Sequence, residues 1–162
     1  MVKCNGNTDS ILVAIKNSQK VTLEHYIWGH FKIMRYIDWK KVADCTLEER
    51  KSLIPYIDQL MDMKHEFELK GIYGFNEFIV SSADLFEKEA LHLIMQGYMP
   101  EMCEKVLFNV LNMSNLERKQ YLKKIIFIDF VLAIQKEHIG DLELKIMLLS
   151  YLGTEFLDIL ID

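Results

Sequence analysis

Ser114-Asn115-Leu116-Glu117 leads through Arg118-Lys119-Gln120-Tyr121-Leu122-Lys123-Lys124 into Ile125-Ile126-Phe127-Ile128-Asp129-Phe130-Val131-Leu132-Ala133-Ile134. The first four residues have the spacing of a capping box, in which a serine and a glutamate three residues on satisfy first-turn amides reciprocally. That spacing predicts a helix running to about Lys136. Ile125 to Ile134 is the longest apolar stretch of the chain, and Asp129 interrupts it. A membrane-spanning helix needs about 20 apolar residues. No segment reaches that length, so the chain is expected not to cross a membrane.

Further helix ends can be read outward from this stretch. Gly140-Asp141 starts another helix that ends at Gly153, and Thr154 caps a last short one through Ile161. On the other side, Pro100 fits the first turn of a helix, where its missing amide would have no partner anyway. Asp84 caps a helix closed by Gly97, with Leu85, Leu91, Ile94 and Met95 as its apolar stripe. Gly71-Ile72-Tyr73-Gly74-Phe75 reads as a turn or a helical extension. Thr46-Leu47-Glu48-Glu49 is a second capping box and opens a helix to about Lys70. Pro55 lies inside it and predicts a kink or boundary near Ile54. Thr22 opens a run to about Val42 in which Leu23, Ile27, Phe31, Met34, Ile37 and Val42 recur at helical spacing. The expectation is an all-α fold of six to eight helices around one core, with residues 1–162 as one domain and residues 1–9 flexible. Gly71 to Asn76 also resembles Phe130 to Gln135, and each precedes a capped helix ending in glycine, a faint internal repeat.

Composition agrees. Hydrophobic residues make up 51% of the 162, which is ample for a core without disulfide or metal, and 2 Pro with 7 Gly suit long helices. The net charge is -5 and the pI about 5.6. Basic residues come in short pairs beside acids, such as Lys40-Lys41 and Lys123-Lys124, so the counterion-release drive of nucleic-acid binding is missing. Cys4, Cys45 and Cys103 are odd in number and widely spaced, which suggests reduced thiols in a cytoplasm. Met1 to Asp9 is polar and does not read as a signal peptide.

Few residues carry the pattern of a catalytic or metal site. His25 and His30 lie roughly 140° apart on a helix and cannot share a metal. His65, His92 and His138 stand alone, and no cysteine has a neighbour at ligand spacing. No metal and no cofactor are expected. Glu66 and Glu68, like Glu87 and Glu89, are two apart, do not face each other on a helix and read as a solvated face. Met61, Met63, Met95, Met99, Met102 and Met113 cluster mid-chain. They read as core filling, with an adaptable binding groove as the alternative. Trp28 and Trp39, with Arg35 between them, form a second stripe on the first long helix. Either that helix is sandwiched inside the domain or the stripe meets a partner.

Two stretches resemble the cytoplasmic parts of the MotA family, the stator subunit of the bacterial flagellar motor. One is Lys70-Gly71-Ile72-Tyr73-Gly74-Phe75, then Leu85 to Leu91, then Gln96-Gly97-Tyr98-Met99-Pro100-Glu101. The other is Val131-Leu132-Ala133-Ile134-Gln135, then Leu144-Lys145-Ile146 and Ser150-Tyr151-Leu152. They follow the family's order and cover less than half of the chain. The family's intervening membrane spans are replaced by about twenty-five residues, Val106 to Phe130, so an ion channel is excluded. The family's functional arginine and closing glutamate fall on Glu68 and Asn76, with Lys70 and Glu77 close by, so its rotor-facing charges are not carried over. The resemblance implies a non-enzymatic protein–protein interaction module, a soluble MotA-like protein associated with the flagellar motor or other envelope machinery. Its location would be cytoplasmic, peripheral at the inner face of the cell membrane. The partner-binding candidates are Glu66, Glu68, Lys70 and Glu77, and separately Trp28, Arg35 and Trp39. The alternatives are a small helical enzyme or ligand-binding protein with an internal pocket, and a regulatory homodimer.

Overall fold

The computed structural model describes residues 36–136 and 139–160, and side chains within them up to residue 157. The described residues from Ile37 onward belong to one compact unit. The described residues are helical and contain no strand. Helix α1 is Leu47–Lys51, α2 Ile54–Lys70, α3 Asn76–Ser81, α4 Leu85–Met95, α5 Pro100–Asn112, α6 Arg118–Gln135 and α7 Asp141–Ser150. Three 3-10 segments, Trp39–Lys41, Gly71–Phe75 and Thr154–Leu160, join or end them. Five of these helices have ten residues or more, slightly fewer than the six to eight expected.

Helix α6 is the axis of the fold. Twelve of its 18 residues are buried, including Ile125, Ile126, Phe127 and Ile128 in succession. Consecutive residues on a helix point about 100° apart, so these four cover every side. The reason is its surroundings: α2, α4, α5 and α7 all pack against it. A helix enclosed in this way needs no polar face. Asp129, the interruption in the apolar run, accepts a hydrogen bond from the Tyr151 hydroxyl at 3.0 Å, which compensates its burial. Among the described residues, no helix is long and apolar enough to cross a membrane.

The two capping boxes fare differently. Thr46 accepts from the Glu49 amide at 3.2 Å, and Glu49 accepts from the Thr46 amide at 2.8 Å, as expected. Ser114 forms no such box. Its hydroxyl donates to the Leu111 carbonyl at 2.6 Å, closing α5, and α6 begins only at Arg118, whose φ is 50°. The break before Pro55 occurs as expected, at Ser52–Leu53, with the proline in the first turn of α2. Gly97 follows α4 with φ 77°, and Pro100 opens α5.

The first long helix is corrected where it can be seen. Residues 36–38 are not helical, and Asp38, at φ -82° and ψ 92°, instead caps the 3-10 turn Trp39–Lys41. Tyr121 explains why the chain stops there. Its hydroxyl is buried, accepts from the Asp38 amide at 3.0 Å and donates to Asn112 at 2.7 Å. Lys41 adds a hydrogen bond to the Ser114 carbonyl at 2.9 Å. The expectation of a helix through Val42 therefore fails at its C-terminal end. The part from Thr22 to Arg35 lies outside the described residues, as does the expectation that residues 1–9 are flexible.

The segment Gly71–Phe75 folds back on the end of α2. A Cβ on Gly74 would come under 3.0 Å from the backbone of Glu66 and Phe67, so no larger residue fits there. The ring of Phe75 stacks on that of Phe67 with centroids 5.1 Å apart. The corresponding half of the faint repeat, Phe130 to Gln135, is instead the last part of α6. The likeness of the two segments is confined to sequence.

Candidate functional site

Two regions of the described structure have features that the fold alone does not explain. The first is a half-open cleft of about 660 Å³ between α2, the α3–α4 connection, α4 and α6. Leu60, Met63, Phe78 and Leu91 form its apolar lining, and Tyr56, Asp84, Glu87 and Lys123 its polar end. Glu87 reads in sequence as part of a solvated face. The structure corrects this, since Glu87 is only 9% exposed. Being three residues after its N-cap Asp84, it turns inward with Ala90, Leu91 and Ile94, while Leu85 of the expected stripe is exposed.

One oxygen of Glu87, Oε1, collects three donors. They are the Tyr56 hydroxyl at 2.8 Å, Lys124 at 3.1 Å and Lys123 at 3.2 Å. Lys124, 3% exposed, is also held by the Asp84 carboxylate, and it lies 5.5 Å from the Phe86 ring centre. Two lysines against two carboxylates balance the charge of the cluster, which its buried members Glu87 and Lys124 require. Burial, and then the neighbouring Glu87 charge, hold the Tyr56 phenol well above its usual range, so it remains a donor. Burial pushes Asp84 up, but its hydrogen bond and charge interaction with Lys124 outweigh this and hold it below the usual carboxylate range. Lys123 lies 4.2 Å over the Tyr56 ring centre at the edge of the cleft.

The second region is α5. Its inner face buries Cys103, Leu107, Phe108 and Leu111. Its outer face carries Met99, Met102, Val106, Val110 and Met113, at spacings of three and four residues that define one helical stripe. Met99, Met102, Val110 and Met113 are all exposed, Met113 to 86%. The expectation that the mid-chain methionines fill the core is met by Met63 and fails for Met99, Met102 and Met113.

The charged candidates are partly brought together. Lys70 lies 2.5 Å from Glu66 and 3.4 Å from Glu77, so these three form one small cluster at the end of α2. Glu68 does not join them. It pairs with the buried Lys64, which also holds Asp141 at 2.5 Å and so ties α2 to α7. Trp39 is 46% exposed in its 3-10 turn, and residues 36–38 before it are not helical. Trp28 and Arg35 lie outside the described residues.

Within the stretches that carry the family resemblance in sequence, the Gln135 side-chain amide donates to the Tyr98 carbonyl. Among the described residues, no group of three or more His, Cys, Asp or Glu could hold a metal ion. Cys103 is buried and Cys45 half-buried, and burial raises both thiols above their usual range. No family model, no curated protein and no solved structure matches the chain.

The sequence did not single out Tyr56, Asp84, Glu87 and Lys123 as a cluster. Asp84 was legible as a cap, and Lys123-Lys124 as a basic pair near acids. Their convergence depends on α2 and α4 packing side by side on α6, which no local spacing encodes.

Proposed function

We propose that this chain is a non-enzymatic protein–protein interaction module whose docking face is the outer stripe of α5. The observation that carries the reading is that Met99, Met102, Val110 and Met113 are exposed at helical spacing on a helix whose opposite face is already buried. Contiguous exposed apolar surface on a folded domain marks an interaction face more often than isolated apolar residues do. Methionine suits such a face because its flexible thioether adapts to differently shaped partners.

The MotA-like stretches favour a partner in flagellar or other envelope machinery, at the cytoplasmic side of the cell membrane. Met99 belongs to the first stretch and also begins the exposed stripe. The Glu66–Lys70–Glu77 cluster would then contribute orientation and salt-sensitive association, because exposed charges steer encounter more than they add affinity. Lys70 already lies between two carboxylates, so Glu77 is the member most able to face a partner.

The test is affinity capture from the native organism with wild type, with Met102→Glu plus Met113→Glu, and with Glu77→Lys, all shown to be folded by circular dichroism. The stripe variant should lose the specific partners that wild type captures, and Glu77→Lys should lose them only at higher salt. Identical captured sets from wild type and the stripe variant would overturn the reading.

A further inference from the structure

The α5 stripe is distinguished by its sulfur as well as by its exposure. Building on the reading of that stripe as the docking face, we propose that Met99, Met102 and Met113 are a reversible oxidation site. A peroxide converts their thioethers to sulfoxides in the folded chain, and the oxidised stripe no longer docks its partner.

The placement of the methionines selects these three. Met99 is 70% exposed, Met102 53% and Met113 86%, whereas Met63 and Met147 are 6% and 5% exposed and Met61 and Met95 are half-buried. Every exposed methionine of the described residues therefore lies on one stripe of one helix, spread over about 21 Å of its axis. An oxidant has to reach the sulfur, so the stripe reacts while the core methionines are spared. The competing targets are cysteines, which react with peroxide as thiolates. The buried Cys103 thiol donates to the Tyr98 carbonyl at 3.7 Å and has the Gln135 side-chain nitrogen 3.9 Å from its sulfur, and Cys45 is half-buried. Burial raises both above the usual thiol range, which keeps them protonated.

The step is a two-electron oxygen transfer. The thioether sulfur attacks one oxygen of the peroxide, and an S–O bond forms as the O–O bond breaks. The departing hydroxide takes the proton of the transferred oxygen and leaves as water. Sulfur loses two electrons and the peroxide gains them. Methionine sulfoxide reductases return the thioether and release the oxygen as water, while a dithiol becomes a disulfide. In the free chain each new sulfoxide is solvated, so the fold loses nothing. Against an apolar partner it is a strong acceptor whose stripe neighbours Val106 and Val110 offer no side-chain donor, and burying it costs free energy. Oxidation thus penalises the docked state alone.

The full folded chain is treated with hydrogen peroxide, freed of it, and divided between peptide mapping by mass spectrometry, circular dichroism and affinity capture from the native organism. Met99, Met102 and Met113 should each gain one oxygen before Met63 or Met147 does, with the helical spectrum unchanged. The partners that wild type captures and Met102→Glu plus Met113→Glu does not should fall at least about tenfold on oxidised wild type, the scale of one buried polar group without a donor. They should return after treatment with both epimer-specific methionine sulfoxide reductases and a dithiol. Met99→Leu plus Met102→Leu plus Met113→Leu keeps the stripe apolar without an oxidisable sulfur and should capture the same partners before and after peroxide. If leucine itself weakens docking, recovery by the reductases decides the matter. Oxidation of Met63 or Met147 ahead of the stripe, unfolding of the oxidised chain, or a loss that the reductases do not reverse overturns the proposal. A peroxide-induced loss in the leucine variant also overturns it, by assigning the effect to a cysteine. If oxidised wild type keeps the partners that the glutamate variant loses, the switch fails and the docking reading stands. If the glutamate variant keeps them all, the docking reading fails and the switch with it.

Discussion

Helices α5 and α6 pack against each other, yet they dispose of their apolar residues in opposite ways. α6 buries Ile125, Ile126, Phe127 and Ile128 in succession because α2, α4, α5 and α7 leave it no outer side. α5 has an outer side, and along one edge of it, beside the exposed Glu101, Lys105, Asn109 and Asn112, Met99, Met102, Val110 and Met113 are exposed. The apolar excess of α6 is therefore accounted for by packing within the chain. That of α5 is not, and an explanation for it has to be sought outside the fold.

The largest effects expected are in α6. Ile125→Ala, Ile126→Ala, Phe127→Ala and Ile128→Ala should each destabilise by about 2–5 kcal/mol, measured by urea denaturation, because each leaves a cavity in a different contact of the same helix. A helix with one solvent face would spare at least one of four consecutive positions, to within about 0.5 kcal/mol. One neutral substitution among the four would show that α6 has an outer side after all.

A smaller effect is expected where α6 meets α4 through charge. Asp84→Asn keeps an N-cap acceptor for the Glu87 amide but removes the carboxylate that holds Lys124. At pH 7 it should cost about 1.5–3 kcal/mol at most, the range for a hydrogen bond to a charged group, and less in proportion to the partial exposure of Asp84. The sign with pH follows from the direction of the shift. Asp84 titrates lower in the folded chain than in the unfolded one, so its contribution is full above the ordinary aspartate range of about 4 and is lost as pH falls through the folded value. The difference between wild type and Asp84→Asn should accordingly shrink as pH is lowered from about 5 to about 2.5. A difference that stays constant over that range would mean the Lys124 contact does not stabilise the ionised form.

Which of these features were legible in the sequence depended on how local their causes are. Thr46 and Glu49 satisfy each other's amides with no help from elsewhere, and their spacing announced it. Ser114 and Glu117 have the same spacing, but Ser114 stands two residues past the end of α5, and the Leu111 carbonyl takes its hydroxyl first. Apolar periodicity carried the first helix on to Val42, whereas the buried Tyr121 hydroxyl, 83 residues away in sequence, fixes Asp38 in an extended conformation. Glu87 looked like surface because a charge beside other charges on a helix usually is. Its partners Tyr56, Lys123 and Lys124 come from two other helices. The mid-chain methionines read as core filling with an adaptable binding groove as the alternative, because methionine suits both and its hydrophobicity does not distinguish a residue buried within the chain from one suited to burial by a partner. All-α class and most helix ends were thus readable, and neither the cleft nor the α5 stripe was.

The smallest effect on stability belongs to Met113→Gln together with Met102→Gln. Neither side chain is buried, so their replacement removes no packed contact, and surface substitutions of this kind usually change stability by no more than about 0.5 kcal/mol. Dilution provides the sharper measurement. If the stripe is covered by a second copy of this chain, wild-type thermal stability must rise with protein concentration, since association stabilises the folded form by mass action. The double variant would then lose that dependence while keeping the stability of the dilute wild type. If the stripe instead serves a different protein, both chains should melt alike at every concentration, and the substitutions should tell only when that partner is present. A loss above about 1 kcal/mol at all concentrations would place the stripe inside the fold, and α5 would then be an enclosed helix of the same kind as α6.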